Sequence, residues 1–302
     1  MYIRVPMVAH RSCLSVPGGS ARMIAKAREV PADEIVIDLE DSVPAGEKAE
    51  ARQAVVAALN AGHWRAPLVA VRINAVGSRW CHRDIIEVAL NADDSLSALI
   101  IPKVEGAADV GFVDRLVSMV ELESARARPL ALELLIETAQ GVRDVHEAAT
   151  ASSRVQALIV GYADLAASLG RRPADDDGDG WRWVQETVLV AARAAGVLAI
   201  DGPYFEIANL EGLRAWATRT RALGYDGKWA LHPTQVDDLN RIFSPTQEEF
   251  DRASVILEEL AQAGALEGRG AVLHEGEMID EASRKLAAQV VVRGAAAGLS
   301  RR

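Results

Sequence analysis

Short apolar runs alternate along this chain with stretches in which apolar residues recur every three or four positions. The runs predict strands buried on both faces, and the stretches predict amphipathic helices. Strands are predicted at residues 12–16, 34–39, 68–73, 98–102, 131–136, 157–160, 197–200 and 228–231. Helices are predicted between them at residues 21–30, 47–60, 83–91, 109–126, 143–150, 183–195 and 210–223. This alternation indicates an α/β fold with a parallel sheet, and the number of repeats favours a (β/α)8 TIM barrel.

The chain continues well beyond the last predicted strand. Residues 244–263 and 281–294 have helical patterns, and a glycine-rich stretch with a turn-like hinge at residues 275–277 lies between them. We therefore expect a catalytic barrel of residues 1–243 and a small C-terminal helical appendage of residues 244–302. Such an appendage could cover the active site of a neighbouring subunit.

Composition excludes several classes of protein. With 302 residues, 50% of them hydrophobic, the chain can bury a large core. A formal net charge of -10 argues against nucleic acid or an anionic membrane as a partner. No apolar run approaches the roughly 18 residues of a membrane span, and the N-terminal residues lack a signal-peptide core. Cys13 and Cys81 match no metal spacing and are expected to be free thiols, so we predict a cytoplasmic protein.

Glu137 and Asp164 are each the first charged residue after an apolar run. The carboxyl ends of parallel strands form the mouth of an α/β fold, where active sites are built. Two carboxylates from neighbouring strand ends can hold a hard divalent ion and leave coordination positions for water and substrate. The alternative is that both are solvated loop acids. The repetition of the pattern at another strand end favours the metal site.

That other strand end is the second predicted strand, which closes with Asp38, Glu40 and Asp41. Five acids at one mouth would repel one another, so a divalent cation is the simplest counter-charge. Acids that do not bind the ion directly can orient its bound waters. Alternatively, some of these acids cap the next helix or pair with Lys48 or Arg52.

Two basic residues end the third and fourth predicted strands. Arg72 interrupts an apolar run and needs a partner, which a substrate carboxylate, Glu40 or Asp38 would supply. Lys103 raises a competing mechanism, because a lysine with a lowered pKa can form a Schiff base with a carbonyl substrate. The surrounding carboxylates favour the protonated lysine, so this mechanism ranks second.

Glycines follow the first predicted strand, in the sequence PGGS at residues 17–20, and the next helix carries Arg22 and Lys26. Free backbone N–H groups at a helix start, with cations nearby, suit a phosphate group. Turn formation alone would also explain the glycines.

Residues 175–186 match the pattern of a calcium-binding loop. Gly170 and Pro173 are poor residues for the helix that should enter such a loop, and Arg182 occupies a position that needs an apolar residue. An exposed acidic loop is therefore the favoured interpretation.

The motifs together resemble the HpcH/HpaI aldolase and citrate lyase beta-chain superfamily, most of all its malyl-CoA lyase (CitE-like) branch. The motifs that carry the resemblance are RSCLSVPGGS (residues 11–20), VIDLEDSV (36–43), VRIN (71–74), IPKV (101–104), LIET (135–138), GYAD (161–164), DGP (201–203), GKWALHP (227–233) and GEMID (276–280). The resemblance implies a TIM barrel and a carbon–carbon lyase that requires Mg2+, or Mn2+ in its place. Such an enzyme cleaves or forms a 3-hydroxyacyl-CoA, which is malyl-CoA, methylmalyl-CoA or citramalyl-CoA. Its other substrates are an acyl-CoA and a 2-oxo acid, glyoxylate or pyruvate.

The resemblance also implies roles for the residues at the mouth. Glu137 and Asp164 would be the metal ligands. Arg72 would bind the carbonyl and carboxylate end of the substrate. Glu40 and Asp41 would support the metal-bound waters.

Further roles concern coenzyme A and the proton. Asp280 would reach in from an adjacent subunit of a homotrimer or homohexamer and act as the acid/base. The coenzyme A contacts would fall on Ser15, Ser20, Lys26, Ala163, Leu231 and His232. Relatives often carry an aromatic residue at Ser15 and a basic one at Ser20, and Arg22 could supply the missing charge.

Three alternatives stay open at this point. The same site could hydrolyse malyl-CoA as a thioesterase, or the chain could be a 2-oxo acid aldolase that works without coenzyme A. It could also be the beta subunit of a citrate lyase complex that needs an acyl-carrier partner.

Overall fold

The computed structural model describes residues 9–124, 126–171, 179–267, 271–274 and 277–301. The start of the calcium-loop-like pattern, residues 175–178, lies outside this range. The chain divides into two compact units, the first comprising residues 10–241 and the second residues 242–302. Among the described residues, no helix is both long and apolar enough to cross a membrane.

The first unit is a closed barrel of eight strands, each parallel to its neighbours and arranged in chain order. Its strands are β1 (Ser12–Pro17), β2 (Glu34–Asp38), β3 (Leu68–Arg72), β4 (Leu96–Ile101), β5 (Ala131–Ile136), β6 (Val155–Val160), β7 (Leu198–Asp201) and β8 (Gly227–Ala230). Its helices are α1 (Ala21–Ala27), α2 (Lys48–Asn60), α3 (Cys81–Asn91), α4 (Ala107–Glu123), α5 (Ala139–Arg143), α6 (Val145–Thr150), α7 (Tyr162–Leu169), α8 (Arg182–Ala195) and α9 (Leu210–Leu223). The predicted TIM barrel is confirmed.

Apolar side chains from alternate strand positions fill the lumen of the barrel. Val36, Ala70 and Leu135 belong to this buried cluster, and burying one such large aliphatic side chain contributes about 1.5–3 kcal/mol. Successive side chains of a strand point to opposite faces, so residues two apart share a face. The lumen is therefore a packed core along its length, and polar inward positions are confined to its two ends.

Two helices differ from the prediction. The chain turns into α7 directly after β6, where the sequence suggested that the apolar run simply ended at Asp164. The single helix expected at residues 143–150 is two short helices, α5 and α6, that begin four residues earlier. An apolar run such as residues 157–163 does not distinguish a strand from the buried first turn of a helix.

The second unit consists of α11 (Gln247–Glu267), α12 (Glu281–Ala296) and a hairpin, while α10 (Val236–Phe243) spans the boundary between the units. The hairpin pairs β9 (Val272–His274) antiparallel to β10 (Glu277–Ile279), where the sequence suggested only a hinge. Within this unit α11 and α12 pack closely. The ring of Phe250 on α11 lies against Gly294 on α12, where an added Cβ atom would stand only 2.2 Å from it.

Candidate active site

Arg72 is fixed at the mouth of the barrel by two carboxylates. It pairs in register with Asp38 of the adjacent strand, and the guanidinium Nε and Nη2 lie 2.7 Å and 2.9 Å from Asp38 Oδ1 and Oδ2. Its Nη1 lies 3.0 Å from Oε2 of Glu40. Burial raises the pKa of Asp38, but the hydrogen bonds and charge of Arg72 outweigh this effect and lower the pKa below its ordinary value. Both acids that the sequence offered as partners therefore hold Arg72.

Lys103 is the second cation of the mouth. Its Nζ lies 2.5 Å from Oε1 of Glu40 and 3.7 Å from both Asp41 Oδ1 and Asp164 Oδ1. Burial lowers the pKa of Lys103, but its hydrogen bond and charge interaction with Glu40 outweigh burial and raise the pKa above its ordinary value. The ammonium form is therefore favoured, which opposes a Schiff-base role for this lysine.

Glu137 follows β5 and is almost completely buried, with 2% of its surface exposed. Its Oε1 accepts a hydrogen bond of 2.9 Å from the backbone N–H of Lys103, a residue with a positive φ of +52°. Burial, and then the charges of Glu40 and Asp164, raise the pKa of Glu137 to about 8. A bound cation would favour the ionised carboxylate.

Gly161 leaves the space in which the Glu137 carboxylate lies. A Cβ atom at Gly161 would stand 2.4 Å from Oε2 and 2.6 Å from Cβ of Glu137, which no side chain can tolerate. Gly161 is also the residue before α7, so its backbone makes the turn from β6 into that helix. The GYAD motif therefore shapes the pocket of one acid while it presents another.

Asp164 lies in the first turn of α7 rather than in a loop, and 36% of its side chain is exposed. An acid in this position is favoured by the positive end of the helix dipole. Its carboxylate faces the same ammonium group as Glu40 and Asp41. The structure thus brings together all five acids that the sequence placed at the mouth.

Lys48 and Arg52 do not form ion pairs with the mouth carboxylates, which was one alternative that the sequence suggested. The Lys48 Nζ donates to the backbone carbonyls of Leu39 at 2.7 Å and Glu40 at 2.6 Å rather than to a carboxylate. Arg52 pairs with Asp84 and Glu87 on α3, away from the strand-two acids. The prediction that either pairs with a mouth carboxylate was therefore wrong. The carboxylates of the mouth pair with Arg72 and Lys103 instead.

The charge balance of the mouth suits one divalent cation. Among the described residues, Arg72, Lys103 and Lys48 carry the positive charges near the five acids. Two negative charges remain when all five acids are ionised. The carboxylates of Glu137 and Asp164 are hard oxygen donors of the kind that Mg2+ prefers, so the residues present fit this ion.

The residues expected to contact coenzyme A lie on three parts of the barrel, namely β1 with α1, the helix α7 after β6, and the segment after β8. Ser15 is in β1 and Leu231 follows β8, and these strands are paired through Leu14 and Ala230. Ser20 caps α1, where its Oγ accepts a hydrogen bond from Met23 N at 3.4 Å. The remaining members are the exposed residues Arg22 and Lys26 on α1, Ala163 on α7 and His232 after β8.

His232 and Asp280 both cap helical turns. The His232 Nδ1 accepts a hydrogen bond from Thr234 N at 3.3 Å in a 3-10 turn, Pro233–Gln235. Asp280, in the second unit, precedes α12 and its Oδ1 accepts from Ala282 N at 2.9 Å and Ser283 N at 3.1 Å. Both capping bonds use Oδ1, so Oδ2 carries neither of them.

Sequence reasoning missed the roles of Lys103 and Gly161 at this site. The sequence indicated that carboxylates surround Lys103, but not which ones, because its contacts with acids from three other segments depend on how the barrel closes. The position of Gly161 directly after a buried strand was the available signal, since glycine there suggests close approach of another group.

Residues 11–233 match the sequence profile of the family described as HpcH/HpaI aldolase/citrate lyase. The chain is 38% identical over 306 residues to L-malyl-CoA/beta-methylmalyl-CoA lyase of Cereibacter sphaeroides, with 96% of each chain covered. It is 35% identical over 272 residues to citrate lyase subunit beta of Escherichia coli, which covers 89% of this chain and 88% of that one. The crystal structure of CitE from Mycobacterium tuberculosis in complex with magnesium, acetoacetate and coenzyme A is 29% identical, with a TM-score of 0.73, and covers 96% of this chain and 100% of that chain. This chain belongs to the HpcH/HpaI aldolase/citrate lyase family.

Proposed function

We propose that this chain is a Mg2+-dependent carbon–carbon lyase acting on a 3-hydroxyacyl-CoA such as malyl-CoA, methylmalyl-CoA or citramalyl-CoA. The products of cleavage are an acyl-CoA and a 2-oxo acid, glyoxylate or pyruvate, and the reverse reaction is the condensation. The observation that carries the proposal is the buried Glu137 carboxylate, seated against Gly161 in the same acid cluster as Asp164. The lyases named among the relatives support the reaction class.

Glu137 and Asp164 would hold the ion, which is Mg2+ or Mn2+. When bound, the ion supplies Lewis-acid polarisation of the 2-oxo acid carbonyl and a fixed point for docking it. Arg72 would bind the carboxylate and carbonyl end of the substrate and stabilise charge that develops on oxygen. Because Asp38 and Glu40 fix Arg72 before substrate arrives, little reorganisation accompanies the reaction.

Glu40 and Asp41 would orient water near the ion. Glu40 is buried and bridges Arg72 and Lys103, whereas 61% of the Asp41 side chain is exposed at the rim of the mouth. Glu40 is therefore the more rigid of the two, and Asp41 is the one that water reaches freely.

Asp280 would carry the proton of the carbon–carbon step. In cleavage, a base takes the proton of the 3-hydroxyl, the carbon–carbon bond breaks, and Asp280 returns a proton to the α-carbon of the acyl-CoA. In condensation, Asp280 removes that proton and the carbon attacks the oxo-acid carbonyl. The Oδ2 atom of Asp280 is the one that the helix cap leaves for this transfer.

Coenzyme A would lie along Ser15, Ser20, Arg22 and Lys26 on one side and Ala163, Leu231 and His232 on the other. The exposed cations of α1 suit the phosphate groups of the ligand. The partners are therefore small molecules, an acyl-CoA and a 2-oxo acid. The cytoplasmic location stays a prediction from the sequence.

The decisive experiment is an assay of the purified chain alone, with acetyl-CoA or propionyl-CoA and glyoxylate or pyruvate. We expect a 3-hydroxyacyl-CoA to form with Mg2+ and not with EDTA, and borohydride to leave the enzyme active. Free coenzyme A and malate as the main products of malyl-CoA would identify a thioesterase instead. No turnover until an acyl-carrier protein is added would identify a citrate lyase subunit, the second candidate that the 35% identical relative favours.

Replacement of Asp164 tests the metal site. Asp164→Ala should abolish Mg2+ dependence and reduce turnover by about 100–1,000-fold, the usual cost of losing a single stabilising group. Glu211→Ala is the matched control, because Glu211 is an exposed acid in the first turn of α9. It should lose the same helix-dipole interaction and keep full activity. Equal losses in the two variants would contradict a ligand role for Asp164.

The homo-oligomer, a homotrimer or homohexamer, is testable by mixing inactive variants. If Asp280 acts in the mouth of an adjacent subunit, then Asp280→Asn and Asp164→Ala chains refolded together should recover part of the activity. A hybrid contains mouths with an intact Asp164 that face an intact Asp280. Absence of recovery in hybrids shown by mass spectrometry to have formed would place the acid/base within one chain.

A further inference from the structure

Three polar residues meet at the amino end of the barrel lumen, opposite the mouth. Glu34 opens β2, Glu133 is the third residue of β5, and His10 lies two residues before β1. Glu34 and Glu133 each lie two residues before a lumen-filling residue, Val36 and Leu135 respectively. The alternation of strand side chains therefore points both carboxylates into the lumen.

The three side chains converge closely. One ligand atom from each lies within 4.8 Å of the others, and His10 Nε2 is 3.6 Å from Glu133 Oε1. All three are buried, with 4% of His10 and 0% of Glu34 and Glu133 exposed. Donor atoms on one tetrahedral zinc ion lie ~3.3–3.6 Å apart, given metal–ligand distances of about 2.0–2.2 Å. A small rotation of the glutamate side chains would bring the set to that spacing.

The carboxylates of this cluster lack the partners that a buried acid requires. Neither oxygen of Glu34 has a hydrogen-bond partner among the described residues, nor has Oε2 of Glu133. Oε1 of Glu133 accepts a hydrogen bond of 2.7 Å from Gln156. The nearby Arg11 is engaged by the carboxylate of Asp33 at 2.7 Å. Burial of an uncompensated carboxylate is costly, so the cluster requires either a proton or a bound cation.

We propose that His10, Glu34 and Glu133 bind one divalent first-row transition-metal ion, with Zn2+ as the preferred ion, in a structural site at the amino end of the barrel. An imidazole with two carboxylates is a donor set typical of Zn2+ and its neighbours, whereas Mg2+ prefers oxygen alone. The strands β1 and β5 stand on opposite sides of the closed barrel. An ion bound by His10 and Glu133 would therefore link these two sides across the lumen.

Cys13 adjoins the cluster but is not assigned as a ligand. Burial, and then the charge of Glu34, raise the pKa of its thiol well above the ordinary value. Its Sγ is directed at the backbone carbonyl oxygen of His10, 4.0 Å away, and it is not among the three residues whose ligand atoms converge within 4.8 Å. A proton held between the two glutamates is the competing way to neutralise them, and the experiment must distinguish proton from metal.

The test removes the mouth site first, so that its outcome does not depend on the proposed function. The Glu137→Gln/Asp164→Asn double variant is refolded from urea with Zn2+ or Co2+, because a buried site binds its ion most readily while the chain folds. Free ion is then removed by gel filtration. We expect about one bound equivalent by elemental analysis, visible d–d absorption bands with Co2+, and a Tm above that of the metal-free protein.

Adding Glu34→Gln to this background should remove the bound ion, the Co2+ bands and the rise in Tm together. Glu29→Gln, an exposed residue before the same strand, is the control and should retain all three. Glu133→Gln is the second variant, for the case in which Glu34→Gln does not fold. No bound ion in the double variant, or unchanged binding after loss of Glu34 or Glu133, would overturn the proposal and leave the proton as the neutralising group.

Discussion

At the mouth of the barrel, Arg72 and Lys103 are ion-paired with buried acids. At the amino end, neither oxygen of Glu34 has a hydrogen-bond partner in the part of the chain that the structure describes. Both ends gather buried glutamates, so the difference lies in how their charge is balanced. Under the proposed function, substrate enters and leaves the mouth, and fixed cations would keep the acids in place between turnovers. The three residues at the amino end are buried, so a permanent ion or proton can serve there.

A third buried cluster of charged residues lies between the barrel and its helices, and its charges are all paired. Lys228 lies 2.6 Å from Asp201 and donates to the carbonyl of Gly202 at 2.5 Å. Tyr162 and Trp216 also donate to the Asp201 carboxylate. Every charge in this network has several partners, as Arg72 and Glu40 do at the mouth. The amino end differs from both, because the Glu34 oxygens have no hydrogen-bond partner among the described residues.

Lys228→Met should have the largest effect on stability. Removing one partner of a buried ion pair leaves the other uncompensated and costs about 3–5 kcal/mol of unfolding free energy. Urea denaturation measures the loss, and Lys228→Met/Asp201→Asn should recover part of it because no unpaired charge is left. A loss below about 1 kcal/mol in the single variant would mean that water already reaches the pair.

Gly161→Ala should damage the mouth while leaving the fold intact. The added methyl group would overlap the Glu137 carboxylate, and a displacement of about 1 Å at a reacting centre can reduce turnover about 100-fold. Gly106→Ala is the control, because Gly106 also precedes a helix and its Cβ would meet nothing closer than 4.0 Å. Steady-state kinetics at varied Mg2+ measure both, and similar rates for the two variants would contradict the steric account.

Asp38→Asn should destabilise the protein by about 1–3 kcal/mol at neutral pH, because it removes a hydrogen-bonded charge from Arg72. The pKa of Asp38 is lowered in the folded protein. Its contribution is therefore present above the unfolded-state pKa of about 4 and is lost as pH falls through the folded-state pKa. Thermal unfolding between pH 7 and pH 3 should show the variant and the parent converging in acid. A constant gap across that range would rule out the ion pair as the cause.

Gln156→Leu should have the smallest effect, about 1 kcal/mol, because it removes a single hydrogen bond to Glu133. This substitution probes the amino end without touching the three residues proposed to bind metal. Unfolding in urea measures it, with Gln140→Leu, an exposed position on α5, as the control. A loss above 3 kcal/mol would mean that Gln156 is the main group balancing the charge of Glu133.

Much of the barrel could be predicted from the sequence because each strand is a continuous apolar run flanked by helical patterns. The start of α7 could not, since Tyr162 and Ala163 prolong the apolar run of β6. The hairpin at residues 272–279 was missed because strands of three residues are too short to show a period.

At the mouth, the acids were predictable because each lies at the carboxyl end of a strand or within four residues after it. Their pairing was only partly predictable, since the contacts of Lys103 with Glu40 and Asp164 join segments far apart in sequence. The amino-end cluster was missed altogether. The available signal was the acid inside the apolar run of β5, at an inward position.

The close seating of Glu137 against Gly161 has a consequence for engineering the substrate range of this protein. Position 161 is closed to every residue except glycine, so a mutant library gains nothing there. Ala163 lies two residues further on and is exposed, so it accepts larger side chains. Under the proposed function, diversity introduced at Ala163 and Ser15 would change the contacts with coenzyme A and leave Glu137 and Asp164 unchanged.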